Sequence, residues 1–190
     1  MSKKFIAFTG PGSSGKTSLI DSINFSNLLG HECIMINSHT RDLKRQGFPI
    51  NSSGSDETQI MISIKHFQNV LNDLGQSCVF DRCVLDGYIY TKWLWQKKKV
   101  SNYVVRFAEG IFNNYISKYN VIFHCVPDFD FVKDSDRSTN KEDRNIINHL
   151  YETEVLILKN LYHNSDTQIV SLTGSPAKRK EVVENVCKNL

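Results

Sequence analysis

The sequence predicts an α/β domain with three layers, in which a five-stranded parallel sheet carries helices on both faces. Two observations lead to this prediction. Short, almost wholly apolar runs alternate with longer segments whose apolar residues recur at helical spacing, and strands buried on both faces read as such continuous runs. The 190 residues also hold no internal repeat and no evident linker, so a single domain over residues 1–190 is expected.

Five apolar runs are expected to form the strands. They cover residues 5–9, 33–37, 78–80, 121–126 and 168–172. Polar residues, glycine or proline bound each run, and the intervals between runs are long enough for the crossover helices that parallel strands need.

The intervals between the strands carry the helical patterns. Helices are expected over roughly 16–29, 56–74, 84–97, 101–118 and 140–162, followed by a last helix that begins at Pro176. Ser175 has the residue type of a helix cap, and proline is well suited to the first helical position. Thr139 and Glu142 have the spacing of a capping box for the helix near residue 140. The polar segment 38–55 is predicted to be irregular, and its length suggests that it forms part of a substrate wall.

Composition argues against several classes of protein. The net charge of +3 is too small to favour a dedicated nucleic-acid binder, although it permits such contacts. No run of about 18 apolar residues exists, so no membrane span is expected. The five cysteines are odd in number and form no close pairs, which argues against disulfides and against a zinc site. A cytoplasmic location is therefore expected.

The sharpest motif lies between the first strand and the first helix. Gly10 to Thr17 read GPGSSGKT and match G-x-x-x-x-G-K-[ST] at every fixed position. Glycines let backbone N–H groups turn toward phosphates, and a helix N-terminus adds partial positive charge. Lys16 is expected to reach the β- and γ-phosphates of ATP, and the Thr17 hydroxyl to bind Mg²⁺. The predicted ATP contacts are Gly10, Gly12, Ser13, Ser14, Gly15, Lys16, Thr17 and Ser18.

Further motifs separate the classes of phosphate-loop protein. A GTPase would carry an N-K-x-D tetrapeptide and a motor ATPase a strand that ends in paired acids, and the sequence shows neither. Instead Asp81 and Arg82 end the third strand, where open α/β sheets bind ligands. A carboxylate there can accept the proton of a substrate hydroxyl or help to hold Mg²⁺, and both roles stay open. Arg82 offers a planar fork for an anionic or hydrogen-bonding substrate.

The segment from Asp81 to Tyr90, DRCVLDGYIY, resembles the D-R-Y-x-x-S-S-x-A-Y segment of thymidylate kinases. Asp81, Arg82 and Tyr90 match in place, whereas Cys83 and Asp86 depart from the pattern. Deoxynucleoside kinases carry a similar E-R-S element at this strand end, and nicotinamide riboside kinase-like domains share the general plan.

Two weaker segments extend the resemblance. Thr40 and Arg41 resemble the T-R of the thymidylate kinase T-R-E-P-G-G segment, without its P-G-G. Residues from Asp136 through Arg137 to Arg144 look like the arginine-bearing lid of these kinases, placed at about 127–145 after strand four. A solvated charged loop is the alternative interpretation of the lid arginines. Gly174 stands where such kinases have a loop near the adenine, although it could equally belong to a plain turn before the last helix.

The resemblance implies a P-loop kinase fold and a phosphotransferase that uses ATP and Mg²⁺ on a nucleoside, a nucleoside monophosphate or a related small molecule. The catalytic residues it implies are Lys16, Asp81, Arg82, Arg137 and Arg144. Arg41, Asp81, Arg82 and Tyr90 would bind the substrate, Thr17 and Asp81 the metal, and Gly174 the nucleotide.

Two alternatives use the same phosphate loop. In one, the acceptor hydroxyl belongs to nucleic acid, at a 5′ end or on a hydroxymethylated base, which the charge permits without favouring it. In the other, the chain is a nucleotide-gated binding module like a GTPase, and the absence of the N-K-x-D tetrapeptide that reads guanine weighs against that. The sequence leaves a homodimer open.

Overall fold

The computed structural model describes residues 3–71, 75–128 and 141–190. Five strands form one parallel sheet in the order β2-β3-β1-β4-β5, which confirms the predicted sheet. The strands are β1 (Phe5–Thr9), β2 (Cys33–Ile36), β3 (Ser77–Asp81), β4 (Val121–Cys125) and β5 (Gln168–Leu172). Because β1 is central and parallel, its carboxyl end and that of β3 open at the same edge of the sheet.

Helices connect successive strands. They are α1 (Lys16–Asp21), α2 (Phe25–Leu29), α3 (Thr40–Arg45), α4 (Asp56–Leu71), α5 (Val84–Gln96), α6 (Asn102–Tyr115), α7 (Lys141–Leu161) and α8 (Pro176–Cys187). Short 3₁₀ turns cover Asn51–Ser53 and Ile116–Lys118. In the described part of the chain, none of the helices has both the length and the apolar character needed to cross a bilayer.

The central strand separates two apolar cores by the alternation of its side chains. Phe5 and Ala7 face a core to which α4, α5, α6 and α7 contribute, whereas Ile6 and Phe8 face a second core against α1, α2 and α8. The sheet is therefore covered on both faces, as the three-layer prediction required.

The prediction of one helix over residues 16–29 is wrong. Helix α1 ends at Asp21, and Asn24 begins α2 by accepting a 3.0 Å hydrogen bond from the backbone N–H of Asn27. The Ser22 hydroxyl donates to the Leu19 carbonyl oxygen at 2.7 Å. Short polar side chains that bond to nearby backbone groups compete with the helix, which accounts for the break.

The polar segment 38–55 is more regular than predicted. It contains α3, whose Leu43 side chain is completely buried, and the 3₁₀ turn that follows. Gly47 leaves the helix with φ +90°, a conformation that favours glycine. The segment is thus held against the rest of the domain by two buried apolar side chains, Leu43 and Ile50.

Two predictions near the lid lie outside the described residues. Thr139, of the expected capping box, and Arg137, the first lid arginine, are among residues 129–140. Arg144 lies in the first turn of α7. At the other end, the Ser175 cap is confirmed, because its hydroxyl oxygen accepts a 3.3 Å hydrogen bond from the backbone N–H of Lys178 and Pro176 begins α8.

Candidate active site

The glycine-rich loop leaves β1 and enters α1 through positions that require glycine. Gly10 has φ +136°, and a Cβ atom there would lie 2.6 Å from the carbonyl oxygen of Cys125. Gly15 has φ +78° at the residue before α1. Any other residue at Gly10 would collide with backbone, so the sequence motif follows from the shape of the loop.

Lys16 is the buried cation of this loop. Its ammonium donates to the carbonyl oxygens of Gly10 and Pro11 at 2.8 Å each, and to the Ser14 hydroxyl at 3.1 Å. Burial lowers the pKa of Lys16 to about 8, and the positive charge of Arg82 acts in the same direction. A buried ammonium whose hydrogen-bond partners are neutral is suited to receive an anion.

Thr17 and Asp81 join the loop to the end of β3. The Thr17 hydroxyl donates a 2.8 Å hydrogen bond to Oδ2 of Asp81. A hydroxyl and a carboxylate oxygen side by side are hard oxygen ligands of the kind that Mg²⁺ prefers, with phosphate oxygens and water completing its shell. The two residues that the sequence assigned to a metal are therefore brought together and fit it.

Arg82 lies beside this pair in a constrained conformation. Its backbone has φ +85°, which for a residue other than glycine costs on the order of 1 kcal/mol or more. Its guanidinium stacks 5.3 Å from the centre of the Tyr90 ring, and the Tyr90 hydroxyl accepts a 3.2 Å hydrogen bond from the Gly12 backbone N–H. Tyr90 thus connects Arg82 to the phosphate loop.

A cleft of about 550 Å³ runs from the phosphate loop to the opposite wall. One end is formed by the loop and the start of α1. The other end is lined by residues of α3, the 3₁₀ turn, α5 and α7, namely Thr40, Arg41, Asp42, Arg45, Ile50, Asn51, Tyr90, Trp93, Asp143, Arg144 and Ile147. The volume is that of a small-molecule site, with one phosphate-binding end and one mixed apolar and charged end.

Most of the predicted site residues line this cleft. Those that do so are Gly12, Ser13, Ser14, Gly15, Lys16, Thr17, Ser18, Arg41, Asp81, Arg82, Tyr90 and Arg144. Gly10 and Gly174, which also lie in the described ranges, are not among the residues that line the cleft. Gly10 contributes its carbonyl oxygen to Lys16 instead.

Gly174 is held by a residue that sequence reasoning missed. The almost fully buried guanidinium of Arg179 donates to the carbonyl oxygens of Gly174 and Ser14 at 3.0 Å each and to that of Val126 at 2.7 Å, and it pairs with Asp128. Arg179 therefore ties the turn before α8 to the phosphate loop. Ser14 lies 165 positions away, so no local pattern signals this contact.

Asp86 is the second residue that the sequence did not single out for a role. The sequence shows it only as a departure from the thymidylate kinase pattern. In the structure its carboxylate is buried and accepts hydrogen bonds from Thr9, Arg82, Tyr151 and the Cys83 backbone. Its position three residues after Cys83 is that of a capping box at the start of α5, but cysteine is not a preferred cap residue, so this spacing did not indicate a role.

The sheet order, the glycine-rich loop and the cleft define the class of protein, which is a P-loop protein with the fold of nucleoside kinases. The chain belongs to the AAA_28 family, described as an AAA domain, whose model matches residues 5–179. At the strand end where a motor ATPase would carry paired acids, β3 has Asp81 followed by Arg82.

Solved structures share this fold. NadR in complex with NR has a TM-score of 0.69 at 13% identity, covering 98% of this chain and 50% of that chain. Deoxyadenosine kinase from M. mycoides, with dCMP and dCDP, has a TM-score of 0.68 at 16% identity, covering 98% and 100%. The chain thus spans half of NadR and the whole of the deoxyadenosine kinase. The similarity confirms the P-loop kinase fold. None of the curated proteins compared with the chain matches it.

Proposed function

We propose that the protein is an ATP-dependent kinase that transfers the γ-phosphoryl group to a hydroxyl of a nucleoside, a nucleoside monophosphate or a related small molecule. The observation that carries the proposal is the 2.8 Å contact between Thr17 and Asp81, at the point where the phosphate loop meets the second half of the cleft. Phosphoryl transfer depends on positioning and charge neutralisation, and this arrangement supplies both.

The donor half of the site would hold the triphosphate of ATP. Backbone N–H groups of the loop and the Lys16 ammonium would neutralise the phosphates. Thr17 and Asp81 would hold Mg²⁺, which when bound supplies charge neutralisation at the phosphate oxygens. Gly12 would contribute through the backbone N–H that now bonds to Tyr90.

Asp81 has two compatible roles in this proposal. Its bond to the Thr17 hydroxyl supports a place on the metal side of the site. Acceptance of the proton from the acceptor hydroxyl is the other role, and the carboxylate lies on the cleft surface where such a hydroxyl would approach. The two roles differ in their dependence on magnesium concentration, which gives a way to separate them.

The acceptor half supports a small molecule with a flat ring. Tyr90, Trp93, Ile50 and Ile147 give aromatic and aliphatic walls of the kind that pack against a nucleobase. Arg41, on the α3 side of the cleft, offers a cation to an anionic acceptor. The deoxyadenosine kinase and NadR structures, whose chains share this fold, contain dCMP and NR respectively, which supports the nucleoside class.

A coupled assay of ADP release tests the proposal. ATP and Mg²⁺ are supplied with a panel of nucleosides, nucleoside monophosphates and nicotinamide riboside, each beside the Lys16→Met variant. We expect at least one acceptor to stimulate ADP release by about a hundredfold or more over the variant. Stimulation by DNA or RNA ends alone would move the acceptor onto nucleic acid. Binding of nucleotide without stimulation by any acceptor would contradict a kinase.

A further inference from the structure

Asp86 forms a buried hydrogen-bond centre directly behind the candidate site. Its Oδ2 accepts from the Thr9 hydroxyl at 2.8 Å and from the Cys83 backbone N–H at 2.9 Å. Its Oδ1 accepts from Arg82 Nη1 at 2.9 Å and from the Tyr151 hydroxyl at 2.8 Å. The residue is 2% exposed, so its oxygens are shielded from solvent and the bonds to them are strengthened.

The four donors belong to different parts of the fold. Thr9 ends β1 and immediately precedes the phosphate loop, whereas Arg82 and Cys83 connect β3 to α5. Tyr151 lies in the middle of α7. A single carboxylate therefore connects the strand before the loop, the strand end that carries Asp81, and helix α7.

Arg82 depends on this carboxylate for its orientation. Its strained backbone is held by a 2.9 Å hydrogen bond from its N–H to the Phe8 carbonyl oxygen. The guanidinium pairs with Asp86 and stacks on Tyr90, and the charge of Asp81 also attracts it. Stacking alone leaves a guanidinium free to slide over the ring, so the ion pair sets its position in the cleft.

Helix α7 is connected to the same group. Tyr151 and Arg144 are seven residues apart, or about 10 Å along two turns of helix. Arg144 lines the cleft and Tyr151 bonds to Asp86. A displacement of α7 would therefore reach Arg82 through one shared carboxylate.

We propose that Asp86 is a positioning residue that fixes the Arg82 guanidinium in the cleft and couples its orientation to helix α7. The inference rests on the proposed kinase function for its catalytic consequence, but the ordering of Arg82 stands without it. Burial alone would raise the pKa of Asp86, but Arg82 and Lys16 lower it, which keeps the carboxylate charged and the pairing intact.

The test substitutes Asp86→Asn. All four partners of the carboxylate are donors, so an amide must point its own N–H₂ at two of them whichever way it is turned. The matched control is Glu154→Gln, because Glu154 is also a buried carboxylate and pairs with Lys92 at 2.7 Å, outside the cleft. Tyr151→Phe removes one hydrogen-bond donor and keeps the Asp86 carboxylate. This variant replaces Asp86→Asn in the test if Asp86→Asn does not fold.

The first readout needs no substrate. In ¹H–¹⁵N spectra of the whole chain at low temperature, the Nη1 group of Arg82, which donates to Asp86, gives a resolved guanidinium signal, assigned by its loss in Arg82→Ala. We expect this signal to disappear or broaden in Asp86→Asn, to weaken in Tyr151→Phe and to persist in Glu154→Gln. An unchanged signal in Asp86→Asn would overturn the positioning role, whatever the protein phosphorylates.

The second readout is kinetic. With an acceptor in hand, Asp86→Asn is expected to lower kcat by about 30-fold while the KM for ATP changes by less than about threefold. In the double variant that combines Asp86→Asn with Arg82→Ala, kcat is expected to be less than about threefold lower than in Arg82→Ala alone. Both substitutions remove the same oriented guanidinium, so their effects should not add. Fully additive losses would overturn action through Arg82. If the wild-type chain had no kinase activity but its Arg82 guanidinium signal responded to Asp86→Asn as expected, the proposed function would be refuted and the positioning role would stand.

Discussion

The hydroxyl of Thr17 and the carboxylate of Asp81 meet at 2.8 Å, although 64 positions separate them in the chain. The contact exists because β1 and β3 are neighbouring parallel strands whose carboxyl ends open at one edge of the sheet. The phosphate loop follows one strand end and the Asp81–Arg82 pair ends the other. The donor half and the acceptor half of the cleft therefore join at this pair.

Substitution of Asp81 is expected to separate its two roles. We expect Asp81→Asn to lower kcat by about a hundredfold and to raise the magnesium concentration for half-maximal rate by about tenfold, because a neutral amide is a weaker ligand. Initial rates over a magnesium titration measure both. A loss of kcat with an unchanged magnesium requirement would assign Asp81 to the proton instead.

Thr17 offers the matched pair of variants for the same test. Thr17→Ser keeps the hydroxyl and is expected to remain within about threefold of wild type, whereas Thr17→Ala is expected to reproduce the altered magnesium requirement. If Asp81→Asn and Thr17→Ala both left activity and magnesium requirement unchanged, the assignment of this pair would be wrong.

The depressed pKa of Lys16 predicts how nucleotide binding depends on pH. Below about pH 8 the free protein holds the ammonium form, and above it the neutral amine dominates. Because bound phosphates favour the ammonium, the Kd for ATP should rise above about pH 8, approaching tenfold per pH unit. Titration calorimetry between about pH 7 and 9.5 measures this.

The control for that measurement is Lys16→Met, which keeps the length of the side chain without a titrating group. Its Kd should be weak and should not depend on pH over the same range. A wild-type Kd that stays constant through the same range would show that Lys16 is not the group that titrates.

Replacement of Arg179 is expected to destabilise the fold around the phosphate loop. Arg179→Met leaves Asp128 without its buried partner and frees the carbonyl oxygens of Ser14 and Gly174. The free energy of unfolding should fall by about 3 kcal/mol, and ATP affinity should fall with it. Urea unfolding and calorimetry measure the two effects.

Lys180→Met is the comparison on the same helix. Lys180 forms a 3.8 Å exposed pair with Glu184, so its loss should cost less than about 1 kcal/mol. Equal costs for Lys180→Met and Arg179→Met would contradict the anchoring role of Arg179.

The strands could be predicted from the sequence because apolar burial leaves a local pattern, whereas helix boundaries set by single side chains could not. The three inner strands are buried throughout and the edge strands β2 and β5 are partly exposed, but all five read as short, mainly apolar runs, and each was placed to within about one residue of its observed ends. The break between α1 and α2 was missed because Ile20 and Ile23, both buried, continue the helical spacing across it. Helix α3 was missed because a single residue, Leu43, anchors it.

In the candidate site, the residues of local motifs could be predicted from the sequence, and those held by distant contacts could not. The phosphate loop and Asp81–Arg82 are local motifs whose residue types follow from the chemistry, and the structure places them together. The sequence shows Asp86 only as a departure from the thymidylate kinase segment. Its role could not be predicted, because its partners Thr9 and Tyr151 are 77 and 65 positions away. The acceptor wall combines α3, α5 and α7, and no local pattern reports how three distant helices share one cleft.

Two buried histidines predict a loss of stability in mild acid. Burial lowers the pKa of His66 to about 4, and burial with the nearby charge of Lys16 lowers that of His124 to about 4. The unfolded chain therefore binds more protons than the native one between about pH 6.5 and 4, so stability falls as pH falls through that window. We expect about 2 kcal/mol for each histidine between about pH 7 and pH 5.

His124→Phe removes one of the two titrating rings and keeps the aromatic packing against Tyr151, which lies 5.8 Å away between ring centres. Urea unfolding at several pH values should show about half of the wild-type pH dependence in this variant. A wild-type stability that does not change between about pH 7 and pH 5 would contradict buried neutral histidines.

Arg41 is expected to bind an anionic acceptor more tightly than a neutral one, so its substitution should distinguish the two kinds of acceptor. Arg41→Gln should raise the KM for a monophosphate acceptor by about tenfold and leave that for a neutral nucleoside unchanged, because only the former offers an anion to the guanidinium. Lys44→Gln, on the same helix but outside the cleft lining, is the control. An unchanged KM for every acceptor in Arg41→Gln would remove Arg41 from the substrate site.

The most direct test of the kinase proposal follows the phosphoryl group itself. ATP labelled in its γ-phosphate is incubated with Mg²⁺, the acceptor panel and either wild type or Lys16→Met, and the products are separated and identified by mass. The account predicts label on a hydroxyl of one small-molecule acceptor, with ADP formed in equal amount and the variant inactive. Label found solely in inorganic phosphate, or on no acceptor at all, would contradict it.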